Sequence, residues 1–366
     1  MGKIPQVGEP APFFAAATDG VERYSLDVVA GRWIVLMFFG TSSQLAPAEG
    51  LALAIKRREL FNGADAAFFG VSIDPADKSR GLQNSDPGVR FFWDFDLAVT
   101  RLYGAADEAN LQPCLFLIDP AFRIAMSAPI EATGVVLDRL EQELRDAPVA
   151  AQAQYAPVLT LPRIFEPELC EALIAYYRAG GATASGFAKD VGGETVQHID
   201  SFMKRRHDVF IEDEAVIGAL RERLQDRLFP MIRRALGWQA QHIERYLVSR
   251  YGAEDQGFFS RHRDDVTAGT AHRRFAVSLN LNDGYEGGDL RFPEFGPRTY
   301  RPPAGGATVF CCSLLHEATP VTSGERFVFV PFLYDEEGAR LRQKNLGKVS
   351  ADLRGNRQER RAKRGR

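Results

Sequence analysis

The amino-acid sequence predicts two domains of different class, an α/β domain followed by a mainly β domain of the sandwich or barrel type. The chain has 366 residues, which is too long for one ordinary core at roughly 100–200 residues per domain. Strand-like and helix-like segments alternate over residues 1–145, a pattern typical of an α/β sheet. Short strands separated by Gly, Pro, Asn and Asp follow from His242 to Tyr334, which is typical of a sandwich or barrel.

The predicted strands of the first domain are three continuous apolar runs, Trp33–Phe39, Ala67–Ile73 and Cys114–Asp119. Runs without polar alternation predict strands that are buried on both faces. Helix-forming residues dominate Glu49–Phe61, between the first two runs. In Gly134–Asp146 the leucines recur on one helical face with charges opposite, which predicts an amphipathic helix.

The second domain begins after an Ala- and Pro-rich stretch with few charges, and we place the boundary near Gln152. Periodicity predicts helices over Glu168–Arg178 and Glu214–Leu236, the latter kinked at Pro230 because proline lacks an amide hydrogen. The predicted strands are 275–281, 289–292, 307–310 and 326–332.

The expected domain limits follow from these elements. We expect an α/β domain over residues 1–148, a linker over 149–157, a β domain over 158–340 and a basic, disordered tail over 341–366. The last sixteen residues, 351–366, carry seven Lys or Arg against two acids.

Composition excludes several classes of protein. No window of about 18 apolar residues occurs, so we expect no spanning helix and no membrane partner. The N-terminus lacks the apolar run of a secretory signal, so we expect a cytoplasmic protein. Four Cys, none in a CxxC spacing, argue against a disulfide scaffold and a Cys-based zinc site. The net charge of -3 says little about partners, and because only the tail favours nucleic acid, we expect none.

Histidine chemistry is confined to the second domain, because all six histidines lie after residue 197. In the triplet His262-Arg263-Asp264, the imidazole and the carboxylate can face one point, because residues i and i+2 of a strand point to the same face. His316, which follows another predicted strand, is the best candidate for a third ligand. Two His and one carboxylate with open positions form the facial triad of non-heme Fe(II) oxygenases.

Arg326 lies ten residues after His316, at the start of the next apolar strand. A buried arginine in an apolar barrel requires an anionic partner. A dicarboxylic cosubstrate would supply one through a bidentate guanidinium contact.

The second domain resembles the 2-oxoglutarate- and Fe(II)-dependent dioxygenases, most of all the prolyl 4-hydroxylase-like branch, over about residues 155–340. The resemblance is carried by the order and spacing of RYGAEDQGFFSRHRD (250–264), EGGDLRFPEFG (286–296), PPAGGATVF (302–310) and LLHEATPVTSGER (314–326). It implies a double-stranded β-helix, or jelly roll, with supporting helices.

The same resemblance implies the roles of individual residues. His262, Asp264 and His316 would bind iron, and Arg326 would anchor the distal carboxylate of 2-oxoglutarate. Tyr251 would line the cosubstrate pocket, and Ser278 occupies a position where relatives often have Tyr or Thr. Fe(II) and 2-oxoglutarate are the implied cofactors, with ascorbate as a reductant, and O₂ is the implied co-reactant.

The first domain resembles a peroxiredoxin of the thioredoxin fold. The matching segments are VGEPAPFFAAATDG (7–20), WIVLMFFGTSSQ (33–44), FFGVSIDP (68–75) and LQPCLFLIDPAFRI (111–124). In that family the peroxidatic Cys lies in the loop after the first long strand, but here the loop, residues 40–49, has no Cys. The domain's one cysteine, Cys114, opens a core strand, where a buried thiol is the favoured interpretation. We therefore interpret this domain as a binding, docking or regulatory module.

Three functions remain open from sequence alone. The first is a dioxygenase that hydroxylates a prolyl or other protein residue, or an amino-acid-like small molecule. The second is a thiol peroxidase that works through Cys114, and the third is a non-catalytic pair of interaction domains. Substrate choice is expected to lie in two loops, Ser185–Arg205 and Asp265–Arg274. His272 in the second loop is either a substrate contact or, as the favoured interpretation, a solvated residue. The substrate and the oligomeric state are left open.

Overall fold

The computed structural model describes residues 3–82, 84, 87–107, 110–146 and 154–350. The chain divides into two compact units, residues 1–156 with 292–298, and residues 157–291 with 299–366. A helix over Glu336–Asn345 and a short 3-10 turn over Leu346–Lys348 occupy the beginning of the segment predicted as a disordered tail, so that prediction is wrong for those residues. Residues 351–366, and the predicted linker as far as residue 153, lie outside the described residues.

The first unit is built on one seven-stranded sheet. Its strands are β1 (Ala15–Thr18), β2 (Val21–Ser25), β3 (Trp33–Gly40), β4 (Ala66–Ser72), β5 (Val89–Trp93), β6 (Cys114–Ile118) and β7 (Ile124–Pro129). Its helices are α1 (Leu45–Lys56), α2 (Ala98–Leu102) and α3 (Thr133–Asp146). The strand order is β2-β1-β5-β4-β3-β6-β7, with β3, β4 and β5 parallel and β6 antiparallel to β3. This is the thioredoxin-like α/β architecture that the sequence predicts.

Both faces of the central strand β3 are buried, as its unbroken apolar run predicts. Val35, Met37 and Phe39 point to one face and pack in the same cluster as residues of α1 and α3. The helix α3 contributes Val136, Leu137 and Leu140, the apolar face that its periodicity predicts.

The second unit contains two antiparallel sheets with helices beside the larger one. The larger sheet is formed by β8 (Leu159–Leu161), β9 (Thr183–Ala184), β13 (His207–Phe210), β14 (His242–Glu244), β15 (Leu247–Gly252), β17 (Phe275–Asn280), β21 (Ala307–Cys311), β24 (Glu325–Phe329) and β25 (Phe332–Tyr334). The smaller sheet is formed by β12 (Lys204–Arg205), β16 (Phe258–His262), β19 (Leu290–Arg291), β20 (Thr299–Tyr300) and β22 (His316–Ala318). Two short pairs complete the unit, β10 (Phe187–Val191) with β11 (Glu194–His198), and β18 (Glu286–Gly287) with β23 (Val321–Ser323).

Successive side chains of a strand point to opposite sides of the sheet, so the two faces carry different sets of residues. One face of the larger sheet is apolar and the other is mixed. Val248, Phe327 and Leu279 pack with the helices in the main core cluster. The alternate positions Tyr251 and Val328 instead pack with residues of the smaller sheet in a separate cluster. Two sheets that enclose an inner cluster in this way form the jelly roll that the motifs predict.

The helices of the second unit are α4 (Pro167–Ala179), α5 (Glu214–Arg223), α6 (Phe229–Leu236) and α7 (Glu336–Asn345). A π-helical turn over Leu224–Leu228 joins α5 to α6, where the sequence predicts a kink at Pro230. The wider turn comes just before the proline, whose ring and missing amide hydrogen disturb the preceding α-helical ladder. Among the described residues, no helix is long and apolar enough to cross a membrane.

A glycine turn fixes the larger sheet to the segment that leads into α4. Gly305 has a φ of +71°, its amide donates to the Asn280 carbonyl at 2.8 Å, and its carbonyl accepts from the amides of Ile164 and Phe165. A Cβ at this position would overlap the carbonyl oxygen of Phe165. The turn therefore requires glycine for both its backbone conformation and its space.

We expect Gly305→Ala to lower the free energy of unfolding by about 2–4 kcal/mol, since it adds overlap to backbone strain. The control is Gly284→Ala, at φ +82° with no atom near the added methyl, which should cost about 1 kcal/mol. Urea unfolding of both variants checks this prediction. Equal losses would show that the overlap with Phe165 is relieved without cost.

Candidate active site

Two histidines face each other across neighbouring strands. Strand β16 pairs with β22 antiparallel, and His262 lies directly opposite His316. Directly opposed residues point to the same face of a sheet, and the two imidazole rings lie 4.2 Å apart between centroids. The Asp264 carboxylate lies 3.6 Å from Nε2 of His262 and 3.3 Å from Nε2 of His316.

Asp264 reaches this point from outside the strand. Strand β16 ends at His262, so the sequence argument that placed both residues of the triplet on one strand is wrong in that detail. The Asp264 amide donates to the carbonyl of Cys312 at 2.9 Å, which holds the segment after the strand against the end of β21. This hydrogen bond, and not strand alternation, sets the position of the carboxylate.

Each imidazole is oriented through its other nitrogen. Nδ1 of His262 lies 2.7 Å from the carbonyl oxygen of Ser260, and Nδ1 of His316 lies 2.9 Å from that of Leu314. Because a carbonyl only accepts, each Nδ1 carries a proton, and in the neutral imidazole this leaves the Nε2 lone pair available to a metal. A hydrogen bond of this kind fixes the tautomer of a metal-binding histidine.

The donor set fits a single divalent cation. Three adjacent ligands at about 2.1 Å from an octahedral ion lie roughly 3 Å apart, close to the two Nε2-to-carboxylate distances. One donor atom from each of His262, Asp264 and His316 lies within 4.8 Å of the others. Two neutral imidazoles and one carboxylate suit iron and leave part of its coordination sphere open.

The surroundings favour the protonation states that bind metal. Burial lowers the pKa of His262 well below its usual value, and the neighbouring His316 adds to this effect. Burial alone would raise the pKa of Asp264, but the His316 imidazole, with His262 and Arg273, holds it well below the usual range. The Phe259 ring stacks on His262 with centroids 3.4 Å apart, so water is partly excluded from this side of the site.

Arg326 lies in the same inner region of the jelly roll. It is buried on β24 directly opposite Tyr251 of β15, and its guanidinium lies 5.6 Å from the tyrosine ring. Nη2 of Arg326 donates to Ser278 Oγ at 2.8 Å, and Nε and Nη2 donate to Asn280 Oδ1 at 3.1 and 3.0 Å. No carboxylate of the described residues forms an ion pair with it. The structure thus brings Tyr251, Ser278 and Arg326 together, and it adds Asn280, which alternation from Ser278 could have identified.

A second buried ionic cluster was missed in the sequence. Asp208 of β13 accepts hydrogen bonds from Ser185 Oγ at 2.5 Å, Ser249 Oγ at 2.7 Å and Arg206 Nη2 at 2.8 Å. Lys204 is also buried, and its Nζ donates to the Gly186 carbonyl at 2.9 Å. Burial would raise the pKa of Asp208, but Arg206 and Lys204 hold it well below the usual range.

Two expectations about the loops need correction. His272 is not solvated: it is buried, and its Nε2 lies 2.8 Å from a carboxylate oxygen of Glu244, which also accepts from Arg273. The segment Ser185–Arg205 is not a plain loop either, since it contains the β10–β11 hairpin and β12. Side-chain partners on distant strands bury these polar residues, and nothing in the local sequence indicates them.

The first unit places hydroxyl groups where a peroxiredoxin would carry its reactive Cys. Ser42 Oγ donates to Asp77 at 2.6 Å, Thr41 Oγ1 donates to Asp74 at 2.7 Å, and Arg80 pairs with both carboxylates. Burial raises the pKa of the Cys114 thiol to about 12. A thiol with this pKa carries almost no thiolate at neutral pH, and the thiolate is the nucleophile.

Comparison with known families agrees with this geometry. Residues 246–334 match the model of the 2OG-Fe(II) oxygenase superfamily, and residues 7–127 match the model of the AhpC/TSA family. The chain therefore resembles a 2-oxoglutarate- and Fe(II)-dependent oxygenase joined to a peroxiredoxin-like domain, and this prediction is confirmed.

Among curated proteins, this chain is similar to PKHD-type hydroxylases. One from Hyphomonas neptunium is 34% identical over 94 residues, 24% of this chain and 41% of that protein. One from Maricaulis maris is 37% identical over 92 residues, 24% of this chain and 41% of that protein. The chain thus spans about two fifths of the length of these relatives.

Solved structures are similar to each part of the chain. A Pseudomonas putida prolyl-4-hydroxylase is 20% identical, with a TM-score of 0.39, and covers 54% of this chain and 99% of its own. Mycobacterium tuberculosis AhpC is 18% identical, with a TM-score of 0.33, and covers 39% of this chain and 95% of its own.

We expect Asp208→Asn to cost about 3–5 kcal/mol of unfolding free energy at pH 7, because it leaves the buried Arg206 charge without its partner. The pKa of Asp208 in the folded protein lies below its unfolded value of about 3.9, so its carboxylate stabilises the fold above that pH. That contribution begins to decrease once the pH falls below about 4 and is fully lost only below the folded-state pKa. The gap between the two proteins should therefore be constant at neutral pH and narrow as the pH approaches 3.

Urea unfolding between pH 3 and pH 8 measures the difference. The matched control is Asp226→Asn, at an exposed position on the π-helical turn, where about 0.5 kcal/mol or less is expected. A gap between the wild type and Asp208→Asn that stays constant with pH would contradict the assignment of the stabilising charge.

Proposed function

We propose that this protein is an Fe(II)- and 2-oxoglutarate-dependent dioxygenase. It hydroxylates a C–H bond of a prolyl or other protein residue, or of an amino-acid-like small molecule, and releases succinate and CO₂. The proposal is supported by one donor set, His262, Asp264 and His316, whose neighbour Phe259 packs in one cluster with Tyr251. Tyr251 lies directly opposite Arg326, a buried arginine without a carboxylate partner among the described residues. A metal site alone would be compatible with many functions. The buried arginine favours functions that use a cosubstrate with a second carboxylate.

In this proposal the triad binds the metal and Arg326 binds the distal carboxylate of the cosubstrate. When bound, Fe(II) and 2-oxoglutarate supply the electrons that activate O₂ and leave one oxygen atom on the substrate. The protein supplies position: Ser278 and Asn280 fix the guanidinium of Arg326, and the backbone carbonyls of Ser260 and Leu314 fix the imidazoles. Phe259 and Val328 add apolar surface to this face, and the exclusion of water there strengthens each charged contact.

Three finer points belong to the same proposal. Ascorbate is expected to act as a reductant that sustains turnover, and the protein is expected to be cytoplasmic. The PKHD-type relatives are hydroxylases by name, which agrees with hydroxylation as the proposed reaction.

The alternative function, a thiol peroxidase, is less well supported because it requires a reactive cysteine. Residues 40–49 contain no Cys, and the raised pKa of Cys114 opposes a thiolate at neutral pH. We assign the first unit a binding, docking or regulatory role.

The proposal predicts that His316→Ala lowers the affinity for Fe(II) at least 100-fold and abolishes the conversion of 2-oxoglutarate to succinate, since one of three protein ligands is lost. His242→Ala is the matched control, because His242 is a partly exposed histidine whose Nε2 contacts Glu336 outside this cluster. Anaerobic calorimetry measures Fe(II) binding. Unchanged Fe(II) affinity in His316→Ala would contradict the assignment of His316 as a metal ligand.

Substrate oxidation is tested by mass spectrometry of a cell extract incubated with Fe(II), 2-oxoglutarate and ascorbate. Products heavier by one oxygen atom should appear with the wild-type protein and not with Asp264→Ala. If purified, iron-loaded protein turns over no 2-oxoglutarate in the extract, the proposal is wrong.

We also predict that Arg326→Met raises the Kd for 2-oxoglutarate about 100-fold, because it removes a buried, charge-assisted contact. Fe(II) affinity should change by less than about threefold, since Arg326 is not one of the three metal donors. Calorimetry on Zn(II)-loaded protein separates cosubstrate binding from turnover. Arg326→Lys should recover part of the affinity, because it keeps the charge but lacks the planar fork.

A further inference from the structure

Lys204 lies one aromatic ring away from the metal triad. It is directly opposite Phe259 on the neighbouring strand, so the two side chains share a face of the smaller sheet. Its Nζ lies 4.5 Å from the Phe259 ring, which stacks on His262. The ammonium group is therefore next to the triad without belonging to it.

Arg206 lies between β12 of the smaller sheet and β13 of the larger one, and its side chain approaches the same region. Its Nη1 lies 3.5 Å from the hydroxyl of Tyr251, the residue whose ring also lies near the guanidinium of Arg326. Arg206 Nη2 is held by Asp208 and Ser185. Its Nε is buried and has no hydrogen-bond partner among the described residues.

Positive charge exceeds negative charge at this place. Lys204, Arg206 and Arg326 are all buried. Of these three residues, only Arg206 forms an ion pair with a carboxylate of the described residues, that of Asp208. The distal carboxylate of the proposed cosubstrate would neutralise Arg326. A protonated Lys204 would then keep one unpaired positive charge beside the unused buried Nε donor of Arg206. An unpaired buried charge is costly. Burial and the Arg206 charge lower the pKa of Lys204 well below its usual value, and a bound anion would offset both effects.

We infer that Lys204 and Arg206 bind a carboxylate of the substrate, so that the hydroxylated molecule is acidic near the oxidised carbon. One excess positive charge and one free donor suit a carboxylate better than a doubly charged phosphate. The carboxylate belongs either to an Asp or Glu side chain in a peptide or to the α-carboxyl group of an amino acid. This inference rests on the proposed dioxygenase function.

The test uses the whole protein loaded with Zn(II) and 2-oxoglutarate, which cannot turn over. One pool of probes contains capped pentapeptides with a single Asp or Glu, each paired with its Asn or Gln twin. A second pool contains N-acetyl amino acids, each paired with its primary amide. Mass spectrometry of the retained probes should find acidic members enriched at least 10-fold in one pool, and that pool identifies the source of the carboxylate.

Variants connect this preference to the two residues. Lys204→Met and Arg206→Met should each reduce the enrichment at least 10-fold, whereas Lys204→Arg should keep most of it. The matched control is Arg205→Met, the same kind of change one position away, where the side chain reaches the Asp255 carbonyl and stacks on Phe258. Arg205→Met should retain the full enrichment.

The outcomes separate this inference from the proposed function. If the wild-type protein does not bind 2-oxoglutarate, both fall. If it binds 2-oxoglutarate but shows no acidic preference in either pool, the inference alone is overturned. A preference that survives in both Met variants also overturns it. Lys204→Met leaves the Arg206–Asp208 pair intact, so it carries the test if thermal unfolding shows that Arg206→Met does not fold.

Discussion

The antiparallel register between β16 and β22 is the constraint on which the rest of the site depends. It places His262 opposite His316, so two imidazoles from distant parts of the sequence meet on one face. A slip of one residue would turn one of them to the other side of the sheet. The hydrogen bond from the Asp264 amide to the Cys312 carbonyl then places one carboxylate beside this pair of imidazoles.

The larger sheet supplies the other half of the arrangement through simple alternation. Strands β15 and β24 each have one set of side chains in the helix-packed core and another facing the smaller sheet. Arg326 can therefore be buried without disturbing the main core, because its neighbours Phe327 and Phe329 fill that core from the opposite face. The same strands thus provide both the stability of the unit and a polar inner face.

Sequence reasoning recovered what is encoded locally. Unbroken apolar runs predicted β3, β4 and β6, and the order of His262, Asp264 and His316 indicated three donor residues that the structure brings together. Asn280 could have been predicted from strand alternation. The roles of Lys204, Arg206 and Asp208 could not, because a run such as KRRHD usually indicates a solvated face. Only pairing with Phe259 and Ser249 on other strands buries these charges.

The distribution of charge has a kinetic consequence. The chain as a whole is slightly acidic, with a net charge of -3, yet the buried Arg326, which has no carboxylate partner among the described residues, places positive charge inside the second unit. Salt screens buried charges much less than exposed ones. Their field should therefore persist at ionic strengths that suppress long-range steering by surface charges. An anion would be selected at short range, after the encounter, and its rate of capture would depend little on salt.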